Sequence, residues 1–78
     1  MVTGAEAIQM LYDKGADVLY ISLGAPRPAY AVEDGELEGL HYRYSLADDT
    51  LCGVTIVWYS RQDKGALKKK LPFTVELP

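Results

Sequence analysis

The run Tyr12-Asp13-Lys14-Gly15-Ala16-Asp17-Val18-Leu19-Tyr20-Ile21-Ser22-Leu23 constrains this chain more than any other segment. An apolar stretch meets a short Asp/Gly turn and leaves as a β-branched and aromatic strand. A segment of this kind folds back on itself, which makes the fold β-rich. In its second arm Leu19, Ile21 and Leu23 alternate with Val18, Tyr20 and Ser22. Successive strand side chains point to opposite faces, so the wholly apolar first set is expected to face the core. Asp13, Gly15 and Asp17 are the structural turn residues. Asp13 is read as closing an Asx-type bond, and Asp17 as bonding backbone donors where the next strand begins.

Upstream, two readings compete. Thr3-Gly4-Ala5-Glu6 fits a capping box ahead of a helix carrying Ala7, Ile8, Met10 and Leu11. Ile8, Met10 and Tyr12 also alternate as one face of a strand, and the hairpin context favours a strand over residues 7 to 12. Downstream, Gly24-Ala25-Pro26-Arg27-Pro28 ends the second strand, because proline removes ladder donors. Residues 30 to 33 form a short strand candidate, followed by the turn dipeptide Asp34-Gly35. Leu40, Tyr42, Tyr44 and Leu46 then alternate with His41, Arg43 and Ser45. After a turn at Ala47-Asp48-Asp49-Thr50, residues 53 to 59 read as a strand apolar on both faces, hence central or covered on both sides.

Ser60 is the expected N-cap of a short helix, with Asp63 near its positive end and Lys68, Lys69 and Lys70 in its last turn. Pro72 stops it, and Phe73, Val75 and Leu77 alternate as a terminal strand. The expected fold is α+β and mostly β: an antiparallel meander of about five strands with one short C-terminal helix packed on it.

The 78 residues form one domain, 1–78, too small to bury much surface alone. Eight basic against eleven acidic residues give a net charge of −3, and no electrostatic case for nucleic acid. The lysines at 64 and 68 to 70 read as a solvated helix end. One cysteine, Cys52, excludes an internal disulfide and a cysteine-based zinc cluster. With no signal peptide seen, it points to a reducing, cytoplasmic setting. Apolar runs fall short of the ~20 residues a membrane span needs.

Candidate chemistry is thin. Asp13 and Asp17 lack the further oxygen ligands and downstream glutamate of a calcium loop. His41 is the default acid/base residue, and Cys52 lies across the expected hairpin from it, with Asp48 or Asp49 in the connecting turn. No helix N-terminus or fixed cation activates that thiol. Gly35 and Gly39 form no phosphate loop, and no metal-ligand spacing occurs. No catalytic residue, cofactor or metal is assigned. Six tyrosines and Trp58 are many for this length; Tyr20, Tyr42, Tyr44 and Trp58 are expected to line one sheet face, as an interface or a ligand platform.

The pattern Tyr12-Asp13, a short turn, then Ala16-Asp17-Val18-Leu19-Tyr20-Ile21-Ser22-Leu23 resembles a family of small bacterial proteins known as domain of unknown function 2283. A second element, Tyr42 to Ser45, the Asp48-Asp49 turn and Gly53-Val54-Thr55-Ile56-Val57, is similar to it more loosely. The resemblance covers about residues 8 to 60 and leaves the helix and terminal strand, 61 to 78, unmatched. It carries no catalytic residues. Some members neighbour genes of RelE-like toxins, which implies an antitoxin-like or partner-binding role. The expected function is a non-enzymatic protein-interaction module, homodimeric or bound to a second small protein. The alternatives are a small-ligand binding protein using the aromatic face, and an enzyme using His41 and Cys52.

Overall fold

The structure, a computed structural model, describes residues 8–78. The capping box read at Thr3 and Glu6 lies outside them. Five strands form one antiparallel sheet: β1 (Ile8–Asp13), β2 (Val18–Leu23), β3 (Ala29–Glu33), β4 (Leu40–Ser45) and β5 (Leu51–Val57). A 3-10 turn at Tyr59–Arg61 and one helix, α1 (Lys64–Lys70), follow. The expected class, mostly β with a C-terminal helix, is the one the chain adopts.

The strand order is β1-β2-β5-β4-β3. β3, β4 and β5 form a meander, and the β1–β2 hairpin joins the free side of β5. Gly24, with a left-handed φ of 76°, and the prolines at 26 and 28 turn the chain out of the sheet after β2 and lead it to the far edge. β5 is central, with a strand on each side, but only its front face is covered by other elements among the described residues.

The register sorts the side chains. Tyr12, Leu19, Ile56 and Leu40 stand in one cross-strand row, and Met10, Ile21, Val54, Tyr42 and Val32 in the next. These rows form the front face. Leu19, Ile21, Leu40, Val54 and Ile56 are fully buried there beneath Tyr59, Leu67 and Leu71. The opposite, back face carries Leu11, Tyr20, Thr55, His41 and Glu33 in one row, and Gln9, Ser22, Gly53, Arg43 and Ala31 in another. No element among the described residues covers it.

Gly53 has a specific task on that back face. The Arg43 guanidinium lies across it and donates to the Ile21 carbonyl at 2.6 Å and to Ser22 Oγ at 3.3 Å. A Cβ at position 53 would collide with both the Ile21 carbonyl oxygen and the guanidinium. The missing side chain therefore lets Arg43 of β4 reach over β5 and tie β2.

The C-terminal part differs from expectation in three ways. β5 stops at Val57, because Trp58 adopts a left-handed φ of 53°. The helix begins at Lys64 rather than beside Ser60; its N-cap is Asp63, whose carboxylate accepts from the N–H groups of Gly65 and Ala66. Ser60 is held elsewhere, by Asp17. Seven residues are too few for a free-standing helix, so the cap and the fully buried Leu67, worth roughly 1.5–3 kcal/mol, hold it to the sheet.

Residues 73 to 77 form no strand. Their alternation is used differently: Phe73, Val75 and Leu77 are half-buried against the core. α1 delivers the tail onto the front face. Tyr59 Oη donates to the carbonyl of Pro78 and fixes its end.

Gly53→Ala is expected to lower stability by about 1–3 kcal/mol through this overpacking. Urea denaturation measures it; an unchanged midpoint contradicts the account of the Arg43 seat.

Candidate functional site

The hairpin turn is a structural staple. Asp13 Oδ1 accepts the N–H of Ala16 at 3.1 Å, the expected local turn bond. Asp17 takes the left-handed conformation, φ 58°, which aspartate tolerates. Its carboxylate accepts from Tyr12 Oη at 2.6 Å, Ser60 N–H at 2.9 Å and Ser60 Oγ at 2.7 Å. The Tyr12 bond leads the Ser60 bonds in holding this carboxyl below the usual carboxylate range, and it raises the Tyr12 phenol in turn. Gly15 lies in the turn, as expected, but the turn does not need a glycine there. Its φ is not left-handed, and an added Cβ would meet only ordinary contact with Asp13. Asp17 makes the reversal instead.

The expected aromatic face does not exist as one surface. Tyr20 stands opposite Thr55 on the back, whereas Tyr42 stands opposite Val54 on the front. Tyr44 pairs with Tyr30 on the front, with ring centroids 5.7 Å apart. Trp58 lies past the end of β5 and is 49% exposed. Alternation along β2 and β4 is regular, but the way β5 joins them puts Tyr20 and Tyr42 out of phase.

Half of the six tyrosines serve the turns. Tyr12 bonds Asp17, Tyr30 bonds Asp49 at 2.8 Å, and Tyr42 bonds Asp34 at 2.8 Å. Asp34 sits in the six-residue β3–β4 loop, longer than the two-residue turn expected at Asp34-Gly35. Its carboxylate also accepts the N–H groups of Glu36 at 2.9 Å and Leu37 at 2.8 Å, with Lys70 Nζ 3.5 Å away. These amide donors, followed by Tyr42, hold its acidity at about 2. Burial, followed by the Asp34 bond, pushes the Tyr42 phenol up to about 12. Lys70 also pairs with Glu36, so this node ties the helix end to the loop. The node was not legible locally, since its members lie up to 36 positions apart (34 to 70).

His41 and Cys52 are not brought together. His41 stands opposite Thr55, three positions or about 10 Å along β5 from Cys52. The His41 ring contacts the Gly39 carbonyl, and Cys52 is buried. Among the described residues no three metal-ligating side chains converge, and no helix is long and apolar enough to cross a membrane.

Among the described residues, nothing pairs with the outer edge of β1. All six of its residues are exposed, and four are apolar: Ile8, Met10, Leu11 and Tyr12 at 38, 38, 67 and 37%. The backbone phase follows from the ladder. Val57 N–H bonds Gly39, so Val57 and Thr55 point their peptide groups at β4, and Ile56 and Val54 point theirs at β2. Ile21, opposite Val54, then faces β5, while Tyr20 and Ser22 face β1. On β1 this leaves Leu11 and Gln9 bonded inward, and the N–H and C=O groups of Ile8, Met10 and Tyr12 directed outward. A shallow cleft lined by Met10, Leu11, Tyr20, Pro26 and Arg43 runs beside this edge.

Comparison of the chain with models of known families, with curated proteins and with solved structures finds no match.

Asp34 makes stability depend on pH. Its folded-state pKa is depressed to about 2, so the stabilisation is whole above the unfolded value of about 3.9 and is lost as pH falls toward 2. The urea-midpoint gap between wild type and Asp34→Asn is expected to be largest near neutrality and to close across that window. A gap that does not change with pH contradicts it.

Proposed function

We propose that this chain is a non-enzymatic protein-interaction module that takes partners by strand addition along the outer edge of β1. The observation that carries the reading is that edge itself: six exposed residues, four of them apolar, with outward backbone groups at Ile8, Met10 and Tyr12. An edge strand without proline, bulge or lysine is a template for pairing, and folded proteins ordinarily blunt such edges. The opposite edge, β3, also exposes Tyr30 and Val32, but it is one residue shorter, follows directly on Pro28 and ends on Glu33.

The remaining polar groups fit this reading. Asp17 spends its carboxylate on Tyr12 and Ser60, and His41 lies away from Cys52, so neither supplies a ready acid/base or nucleophile pair. The hairpin bearing this edge also carries the motif that resembles domain of unknown function 2283, which favours an antitoxin-like or accessory partner role. A lone buried thiol suits a cytoplasmic setting. The ligand-platform alternative is weakened, since Tyr20 and Tyr42 occupy opposite faces.

Native mass spectrometry of the protein isolated gently from its own cells tests the reading, with Met10→Pro as the paired variant. Met10 directs its N–H outward, so proline there removes a docking donor while sparing the bonds to β2. The wild type is expected to carry a bound protein chain, of its own or another kind, that Met10→Pro loses. A bare monomer, or a complex that Met10→Pro leaves intact, contradicts it.

A further inference from the structure

We infer that the occupant of the β1 edge is a second copy of this chain, paired antiparallel about a two-fold axis through Met10; this rests on the edge-docking reading above. An antiparallel ladder forms only where outward peptide groups meet outward peptide groups. The outward set Ile8, Met10 and Tyr12 is symmetric about Met10. A two-fold there sets Met10 opposite Met10 of the second copy, and Ile8 opposite its Tyr12. A one-residue slip would oppose outward groups with inward ones and forfeit the ladder.

The side chains agree with that register. Ile8, Met10 and Tyr12 lie on the front face beside Leu23, Ile21 and Leu19. Opposed to the same three residues, they continue the apolar front face across the junction, between two copies of α1. On the back face, Gln9 meets Leu11 of the second copy. Charge permits the pairing too. The chain carries −3, but the one charged residue of β1 is Asp13, at its turn end. The two-fold separates the two Asp13 side chains by about 20 Å, six residues of strand. That exceeds the screening length of roughly 8 Å at physiological salt.

The assembly closes on itself. A two-fold uses each copy's β1 edge once and leaves the two β3 edges outermost, so the same contact cannot add a third chain. A five-residue ladder is smaller than the standard interface of about 800 Å² per partner, which makes the dimer reversible.

Sedimentation velocity on the full chain over a concentration series tests this, with Met10→Pro and Met10→Lys as variants. Urea denaturation at low concentration confirms that each variant still folds. The wild type is expected to pass from monomer at low micromolar to dimer at high micromolar concentration. Both variants are expected to shift the midpoint at least about tenfold upward, Met10→Lys by placing two like charges together at the axis. A wild type that stays monomeric at high micromolar concentration while unfolding cooperatively overturns the inference. A dimer of equal strength in both variants overturns it as well. If the wild type is monomeric while gentle isolation yields a different protein that Met10→Pro loses, the second-copy inference falls and the edge-docking reading stands.

Discussion

The pairing of β2 with β5 is the contact on which the molecule depends. Strands more than thirty positions apart in the chain meet in register from Val18 opposite Val57 to Ser22 opposite Gly53. Closing a loop of that length costs chain entropy, and the burial it creates offsets the cost. Leu19 and Ile56, then Ile21 and Val54, become neighbours at the centre of the front face, all fully buried. Without this pair, the hairpin β1–β2 and the meander β3–β4–β5 each expose an apolar face that neither covers. Arg43 reinforces the junction from behind by bonding the Ile21 carbonyl over Gly53.

Consequences spread outward from that junction. Because β5 is central, the chain leaving it at Trp58 turns over the front face, and α1 seats Leu67 above the buried pairs. Because β2 has β5 on one side, β1 on its other side becomes an edge. The loops are then pinned by one repeated device, a tyrosine hydroxyl donating to a turn aspartate: Tyr12 to Asp17, Tyr42 to Asp34, Tyr30 to Asp49. These bonds fix turn geometry at both ends of the sheet. They also explain half of a tyrosine content that sequence reading assigns to an interface.

Local pattern made most of the elements legible. Alternation in residues 18 to 23 and 40 to 45 sufficed to place strands and, for Leu19, Ile21 and Leu40, the buried face. Strand order was not legible, because β2 could have paired with β3 or β5 on local evidence alone. The aromatic face failed for the same reason: whether Tyr20 and Tyr42 share a side depends on the phase in which each meets β5. Ser60 and Asp63 are both good N-caps, and the choice fell to Asp63 because Asp17, distant in sequence, holds Ser60. The tail at Phe73, Val75 and Leu77 has strand periodicity, yet its apolar residues pack on a core face that α1 places beneath them. The open edge itself was half visible. The apolar content of residues 8 to 12 is plain in the sequence, but its exposure follows from a topology that is not.

The central claim is that β1 is paired on one side only, with Ile8, Met10 and Tyr12 directing their peptide groups away from β2. Residue-resolved amide hydrogen exchange at low protein concentration tests it directly. Gln9, Leu11 and Asp13 are expected to be protected, and Ile8, Met10 and Tyr12 to exchange rapidly, an alternation with period two. Uniform protection along β1 at low concentration, or the opposite alternation, would contradict the account.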